Sequence, residues 1–96
     1  MKRVYADYAA ATPIDDRVLK VVTDTARQYS GNPSSLHSFG QEAADVLTTA
    51  RESVASFLNA ASDEVYFTSS GTESNNLALI GIAKANRERG NHIITT

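Results

Sequence analysis

The 96-residue sequence contains no cysteine. This absence excludes disulfide bonds, thiolate metal ligands and a cysteine nucleophile from the chain itself. The sequence also lacks any run of about 18 apolar residues, so no segment is predicted to span a membrane. The first residues carry an acid at Asp7 and no continuous apolar stretch, so they do not form a signal peptide. A cytoplasmic location is therefore expected.

Neither sign of charge dominates the chain. Nine basic and eleven acidic residues give a formal net charge of -2, and the basic residues are scattered. This distribution indicates neither a nucleic-acid partner nor an anionic membrane surface. With 42% hydrophobic and 21% charged residues, the composition is that of an ordinary globular protein. We find no repeat or linker, so residues 1–96 are predicted to form one partial domain without an internal boundary.

The spacing of apolar residues predicts two helices in the first part of the chain. Asp15 and Asp16 supply an N-cap and a negative first turn for a helix over about 16–29. Residues 30–35 combine serine, glycine, asparagine and proline, which is typical of a loop. A second amphipathic pattern predicts a helix from residue 36 or 40 to residue 59.

The last third of the chain has the pattern of a βαβ unit. A β-branched and aromatic run predicts a strand at about 64–68, and apolar residues then predict a helix at about 71–89. A capping box, Ser70-x-x-Glu73, precedes this helix, and a second strand begins at residue 92. Strands joined by a helix are parallel, and two of them do not complete a covered sheet. The sequence thus predicts the opening part of a larger α/β protein, in which two or three helices precede the βαβ unit of an incomplete, mainly parallel sheet.

The junction between strand and helix, residues 68–73, predicts an anion site. A helix N-terminus directs backbone N–H groups and the positive end of its dipole at one place, and Ser and Thr hydroxyls lie beside it. A phosphate is the natural ligand of such a place. The alternative is that Ser70, Thr72 and Glu73 only cap the helix, and the residues by themselves favour this second interpretation.

Five motifs, in order and in spacing, resemble the N-terminal part of pyridoxal-phosphate-dependent cysteine desulfurases. These enzymes belong to the class V aminotransferase group of transferases and have the fold-type I scaffold. The resemblance covers nearly the whole chain but about the first quarter of a typical family member, including the start of its large cofactor-binding domain. The motifs are Tyr5-Ala-Asp-Tyr-Ala-Ala-Ala-Thr-Pro-Ile-Asp-Asp-Arg-Val, Gly31-Asn-Pro-Ser-Ser-Leu-His-Ser-Phe-Gly, Ala50-Arg-Glu-Ser-Val-Ala, Val65-Tyr-Phe-Thr-Ser-Ser-Gly-Thr-Glu-Ser-Asn-Asn-Leu-Ala and His92-Ile-Ile-Thr-Thr.

The resemblance implies an activity for the complete enzyme. It would convert L-cysteine to L-alanine and pass the sulfur, as a persulfide, to acceptor proteins of iron–sulfur cluster assembly or tRNA thiolation. Pyridoxal phosphate, bound to a lysine, would act as the electron sink, and a cysteine on a mobile loop would attack the substrate sulfur. A histidine would stack on the cofactor ring and an aspartate would pair with its nitrogen. Family members are homodimers, so the complete enzyme is expected to dimerise.

The resemblance also implies site residues. Gly71 and Thr72 match the family's cofactor-phosphate positions, with a backbone N–H at the first and a hydroxyl at the second. Asn32 and His37 lie in a segment that, in the family, is near the substrate side of the active site or the dimer interface. The alternative for these two is a turn asparagine and a loop histidine that bond to the backbone, and we favour it.

The remaining candidates are interpreted as structural. Asp7 is expected to fix backbone N–H groups of the N-terminal loop through its side chain, His92 to lie at the start of a strand, and Lys84 to be a solvated helix charge. No residue of the chain is predicted to be catalytic or to bind a metal.

The sequence departs from the family in what it does not contain. It has no cysteine to carry a persulfide and no matching lysine, and the stacking histidine and the ring-nitrogen aspartate would lie beyond Thr96. By itself the chain is expected to be inactive and to bind pyridoxal phosphate weakly or not at all. Two alternatives stay open: another class V enzyme, such as a selenocysteine lyase or an aminotransferase, and a stand-alone interaction module without catalysis.

Overall fold

The computed structural model describes residues 2–95, and its regular structure is helical. Helix α1 is Asp16–Gln28, α2 is Ser38–Leu58 and α3 is Gly71–Ala85, with a short 3₁₀ turn at Ser62–Glu64. The three predicted helices are confirmed, although α3 ends before residue 89. No helix among the described residues is both long and apolar enough to cross a membrane. The cytoplasmic location stays a prediction.

Helix α1 begins where its sequence predicts. The Asp15 backbone is extended, and its Oδ1 accepts a hydrogen bond from the Arg17 backbone N–H at 2.9 Å. The Arg17 guanidinium also donates two hydrogen bonds to this carboxylate, with Nε 2.9 Å from Oδ1 and Nη2 2.9 Å from Oδ2. The side-chain bonds from Arg17, followed by its backbone bond, lower the pKa of Asp15. Asp15 is therefore an ionised N-cap, as the sequence predicts.

The predicted βαβ unit is not found, because residues 2–95 contain no strand. Val65 has extended dihedral angles of -100° and 119°, so the β-branched pattern is correct about local conformation there. A strand also needs a ladder of bonds to neighbouring strands, and a pair of short segments is marginal without further strands. The sequence thus predicted the extended conformation at this position, but it could not predict whether the segment pairs with another strand. The second predicted strand reaches residue 96, which lies outside the described residues.

Asn86 explains why α3 ends four residues early. Its backbone N–H lies 3.0 Å from the Ile82 carbonyl oxygen, and its side-chain Nδ2 lies 2.9 Å from the same oxygen. An asparagine side chain that competes for main-chain groups favours the end of a helix over its continuation. Residues 86–89 consequently form turns.

The chain divides into two compact units, one up to Glu52 and one from Ser53 onward. In the first unit, loop 30–35 packs closely on the start of α2. A Cβ atom added to Gly40 would lie 2.4 Å from the Ser35 carbonyl oxygen, and one added to Gly31 would lie 2.0 Å from the Phe39 carbonyl oxygen. Glycine is thus required at both positions, because only a hydrogen atom fits. The single partial domain stays a prediction.

Candidate functional site

Ser70 caps the N-terminus of α3. Its backbone is extended, with φ -165° and ψ 162°, and its Oγ accepts a hydrogen bond from the Glu73 N–H at 3.2 Å. Its carbonyl oxygen accepts from the Ser74 N–H at 3.0 Å. This half of the predicted capping box is confirmed.

The other half of the box is displaced by one residue. The Glu73 carboxylate accepts from Ser69 instead of Ser70: its Oε2 lies 2.7 Å from the Ser69 nitrogen and 2.6 Å from the Ser69 Oγ. The Ser69 hydroxyl bond and then the Ser69 backbone bond lower the pKa of Glu73. Both donors of Ser69 are therefore engaged by a carboxylate that favours its ionised form.

The Thr68 hydroxyl makes a second set of contacts that stabilises the same turn. The Thr68 Oγ1 donates to the Ser70 carbonyl oxygen at 3.1 Å and lies 2.6 Å from the Ser74 Oγ. Because the single Thr68 hydroxyl proton goes to Ser70, the Ser74 hydroxyl donates to Thr68. Residues 68–70 are thus bonded to the first turns of α3 by two side-chain contacts, from Ser69 to Glu73 and between Thr68 and Ser74.

Gly71 and Thr72 have hydrogen-bond donors that take no part in these contacts. Within residues 2–95, no group accepts from the Gly71 N–H or the Thr72 N–H, and no group bonds to the Thr72 Oγ1. Both residues are exposed, and among residues 2–95 no atom beyond the chain neighbours and the backbone of α3 lies within 4 Å of the position that a Gly71 Cβ would take. Two N–H groups and a hydroxyl beside open space, at the positive end of a helix dipole, fit the phosphate of a cofactor such as pyridoxal phosphate.

Asn32 and His37 lie in the first unit, and both bond to the nearby backbone. The Asn32 Oδ1 accepts from the Ser34 N–H at 2.9 Å, which is an Asx turn. The His37 Nδ1 accepts from the Gly40 N–H at 3.2 Å, so the neutral ring carries its proton on Nε2. These are the bonds expected of a turn asparagine and a loop histidine that bond to the backbone. Gly71 and Thr72 thus lie together at the start of α3, whereas Asn32 and His37 each bond to nearby backbone within the first unit.

The N-terminal loop is held differently from the sequence prediction. The carbonyl oxygen of Asp7, and not its side chain, accepts from the Ala10 and Ala11 N–H groups at 3.1 and 3.3 Å. The Tyr5 hydroxyl lies 2.9 Å from the Ala11 carbonyl oxygen and 3.0 Å from that of Asp7. Asp7 is structural through its main chain, because a turn forms by backbone bonding alone. Sequence reasoning missed Tyr5, because no sequence pattern marks a tyrosine hydroxyl that bonds to a carbonyl oxygen six residues later.

Lys84 is a helix residue as predicted, whereas His92 does not begin a strand. Both are exposed, Lys84 in the last turn of α3 and His92 in the loop that follows. Among the described residues, no cluster of three or more His, Cys, Asp or Glu side chains could hold a metal ion.

Comparison with known proteins gives the same family from several directions. The family model described as Aminotransferase class-V matches residues 4–96. The chain is 47% identical over 96 residues to a protein named putative cysteine desulfurase IscS 1 from Bacillus subtilis. It is 48% identical over 97 residues to the cysteine desulfurase IscS of Dictyoglomus turgidum and 49% identical over 92 residues to that of Ehrlichia chaffeensis. No solved structure matches the chain significantly.

These matches cover nearly all of this chain but only a small part of each relative. They cover 100% of this chain for the Bacillus and Dictyoglomus proteins and 96% for the Ehrlichia protein, but only 25%, 25% and 22% of those relatives. The chain thus spans about a quarter of the length of the curated relatives it matches. It belongs to the class V aminotransferase family and matches the N-terminal portion of the family's cysteine desulfurases.

Proposed function

We propose that this chain is the N-terminal part of a pyridoxal-phosphate-dependent cysteine desulfurase of fold-type I, in which Gly71 and Thr72 bind the cofactor phosphate. One observation carries the proposal: three hydrogen-bond donors of these residues have no partner among the described residues and face a dipole-favoured, open position. The names of the relatives supply the reaction class.

Each residue of the site has a separate task. The Gly71 and Thr72 N–H groups donate to phosphate oxygens, and the Thr72 hydroxyl adds a third bond whose direction its rotamer sets. Glu73 accepts both hydrogen bonds from Ser69 and so helps to hold the turn that precedes the open position. Pyridoxal phosphate, when bound, supplies an electron sink. These residues anchor it and do not touch the reacting atoms.

The complete enzyme would act on L-cysteine and release L-alanine, and the cleaved sulfur would remain on an enzyme cysteine as a persulfide before passing to acceptor proteins of iron–sulfur cluster assembly or tRNA thiolation. This chain has no cysteine, so another part of the enzyme must carry the sulfur. We propose that the complete enzyme is a homodimer and that residues 1–96 alone have no activity. Release of sulfide or alanine from cysteine by the purified chain would contradict this.

A chimera tests the phosphate site. Residues 1–96 replace the matching quarter of the Bacillus subtilis relative, and the affinity for pyridoxal phosphate is measured by absorbance titration. Thr72→Val removes the hydroxyl and keeps the shape, so we expect affinity to fall about tenfold or more, the value of a charge-assisted hydrogen bond. Thr23→Val is the matched control, because the one bond of the Thr23 hydroxyl within the described residues is to the Leu19 carbonyl oxygen in α1.

The phosphorus NMR signal of the bound cofactor is a readout that does not depend on activity. It should shift in the Thr72→Val chimera and stay in place in the Thr23→Val chimera. Equal affinity and an equal signal in both variants would show that Thr72 is only a helix residue.

A further inference from the structure

The turn that leads into α3 is ordered by hydrogen bonds and not by burial. Residues 69–80 are all exposed, so no apolar contact in this chain buries them. Gly71, the first residue of α3, has no Cβ atom, and glycine loses more conformational freedom on ordering than any other residue. Within this chain, the direction of the Gly71 and Thr72 N–H groups is therefore set by the hydrogen bonds around them.

Glu73 bonds to both residues that precede Gly71. Its Oε2 accepts from the Ser69 nitrogen at 2.7 Å and from the Ser69 Oγ at 2.6 Å, and its own N–H donates to the Ser70 Oγ at 3.2 Å. Gly71 and Thr72 thus lie in a short segment whose two ends are joined. Such a segment has fewer conformations than a free one, which lowers the entropy cost of ordering it around a ligand.

The charge of Glu73 by itself opposes anion binding. Glu73 lies in the first turn of α3, where an acidic side chain interacts with the positive end of the helix dipole and repels a second anion. Among residues 2–95, no basic side chain bonds to its carboxylate. If Glu73 were only a helix cap, its removal would strengthen phosphate binding. If Glu73 positions the turn, its removal weakens phosphate binding, so the two roles predict opposite signs.

We propose that Glu73 is a positioning residue of the cofactor-phosphate site and acts through Ser69 to fix the Gly71 and Thr72 N–H groups before the phosphate binds. Glu73 does not contact the phosphate. Ser69 is not a phosphate ligand, because Glu73 engages both of its donors. The inference rests on the proposed function, since it concerns the same site, and it adds that anion affinity there depends on an acidic residue.

Glu73→Ala tests this role in the chimera with the Bacillus subtilis relative. The substitution removes the acceptor of both Ser69 bonds. We expect the affinity for pyridoxal phosphate, measured by absorbance titration, to fall about tenfold, which corresponds to the freedom regained by about one backbone residue. Glu73→Gln keeps an acceptor oxygen without the charge, so it should restore part of the affinity. Unchanged or higher affinity in Glu73→Ala, or no restoration in Glu73→Gln, would overturn the proposal.

Glu64→Ala is the matched control. The Glu64 Oε2 accepts from the Ala61 N–H at 2.8 Å, which is a carboxylate-to-backbone bond at the start of the 3₁₀ turn in the same unit. Its removal takes away one negative charge and one such bond and leaves Ser69 and Glu73 as they are. The affinity should stay that of the parent chimera. An equal loss in Glu64→Ala and Glu73→Ala would assign the effect to general destabilisation and overturn the proposal.

Ser69→Ala tests the route by which Glu73 acts. Alone, it removes one of the two bonds and should lower the affinity less than Glu73→Ala does. Added to Glu73→Ala, it should cause no further loss, because the residue through which Glu73 acts is already released. A further loss would show that Ser69 contacts the phosphate and would contradict the assignment. If the Glu73→Ala chimera is insoluble, full affinity in both Glu73→Gln and Ser69→Ala overturns the proposal.

Thr72→Val separates this inference from the proposed function. If Thr72→Val lowers the affinity and Glu73→Ala does not, the phosphate site stands and the positioning role of Glu73 is refuted. If Thr72→Val has no effect on the affinity or on the phosphorus NMR signal, the phosphate site itself is refuted, and this inference with it. Loss of affinity in both, with the Glu64→Ala chimera unchanged, is the expected result.

Discussion

Ser69 gives both of its donors to one oxygen atom of Glu73. The nitrogen and the Oγ of Ser69 lie 2.7 and 2.6 Å from the Glu73 Oε2. A glutamate at the third position of a helix usually bonds to the N-cap residue, and here it bonds one residue earlier. This pair sets the shape of the turn that precedes Gly71 and Thr72, and its strength depends on the charge of the carboxylate.

The first prediction concerns pH. The bonds from Ser69 lower the pKa of Glu73 from its ordinary 4.5, so the folded-state pKa lies below the unfolded one. The stabilisation is therefore fully present above the unfolded pKa and is lost as the pH falls through the folded pKa. In an NMR titration the Ser69 amide shift should change with a midpoint below 4.5. Glu73→Gln should abolish this transition, and a midpoint at or above the ordinary value would contradict the pair.

A second prediction compares two glycines. Gly40→Ala places a Cβ atom 2.4 Å from the Ser35 carbonyl oxygen, which is backbone and cannot move aside cheaply. We expect a loss of about 1–3 kcal/mol in the free energy of unfolding, the usual cost of overpacking. Gly81→Ala is the matched control: a Cβ there meets nothing within 4 Å, and alanine favours a helix interior by about 1 kcal/mol.

Urea unfolding followed by circular dichroism measures both changes. The two variants should move the midpoint in opposite directions. Equal midpoints for Gly40→Ala and the parent would show that loop 30–35 does not pack on α2 as described.

The third prediction separates the two interpretations of Asn32. Its Oδ1 accepts from the Ser34 N–H, so Asn32→Ala should destabilise the chain by about 1 kcal/mol, as loss of a capping oxygen does. Asn32→Asp keeps the acceptor and should be close to neutral. Thermal unfolding of the three proteins is the measurement. If Asn32→Ala were as stable as the parent protein, the structural role would be contradicted, and Asn32 would again be a candidate for the substrate side.

The fourth prediction concerns the N-terminal loop. Tyr5→Phe removes the hydroxyl that lies 2.9 Å from the Ala11 carbonyl oxygen, and it should speed hydrogen exchange at the Ala10 and Ala11 amides by a few-fold. Asp7→Asn should leave that exchange unchanged, since the main-chain carbonyl of residue 7 is the acceptor. Faster exchange in Asp7→Asn than in Tyr5→Phe would restore the role first predicted for the Asp7 side chain.

Local patterns in the sequence predicted the helices well. Asp15 and Ser70 cap α1 and α3 at the expected residues, because a cap and the backbone N–H group that it accepts from are separated by only two or three positions. The end of α3 was missed since an asparagine competes for the Ile82 carbonyl oxygen in a way that periodicity does not record. The predicted strands depend on partners elsewhere in a sheet, and no local pattern specifies those.

The candidate site was predictable in its residue types and only partly in its geometry. Ser, Gly and Thr before an apolar helix indicate an anion site, and Gly71 and Thr72 do have donors without a partner among residues 2–95. That Glu73 would select Ser69 over Ser70 depends on the rotamer and on the exact turn, which spacing does not fix. The close approaches of Gly31 and Gly40 were also missed, because each involves backbone several residues away.

Those two close approaches bear on how this region can vary in length. Surface loops ordinarily accept inserted residues, because their ends are free to adjust. Here a hydrogen-only contact at Gly31 and another at Gly40 fix the number of residues between loop 30–35 and the first turn of α2. One added residue would separate the two contacts from their partners, so this loop should change in sequence among related chains far more readily than in length.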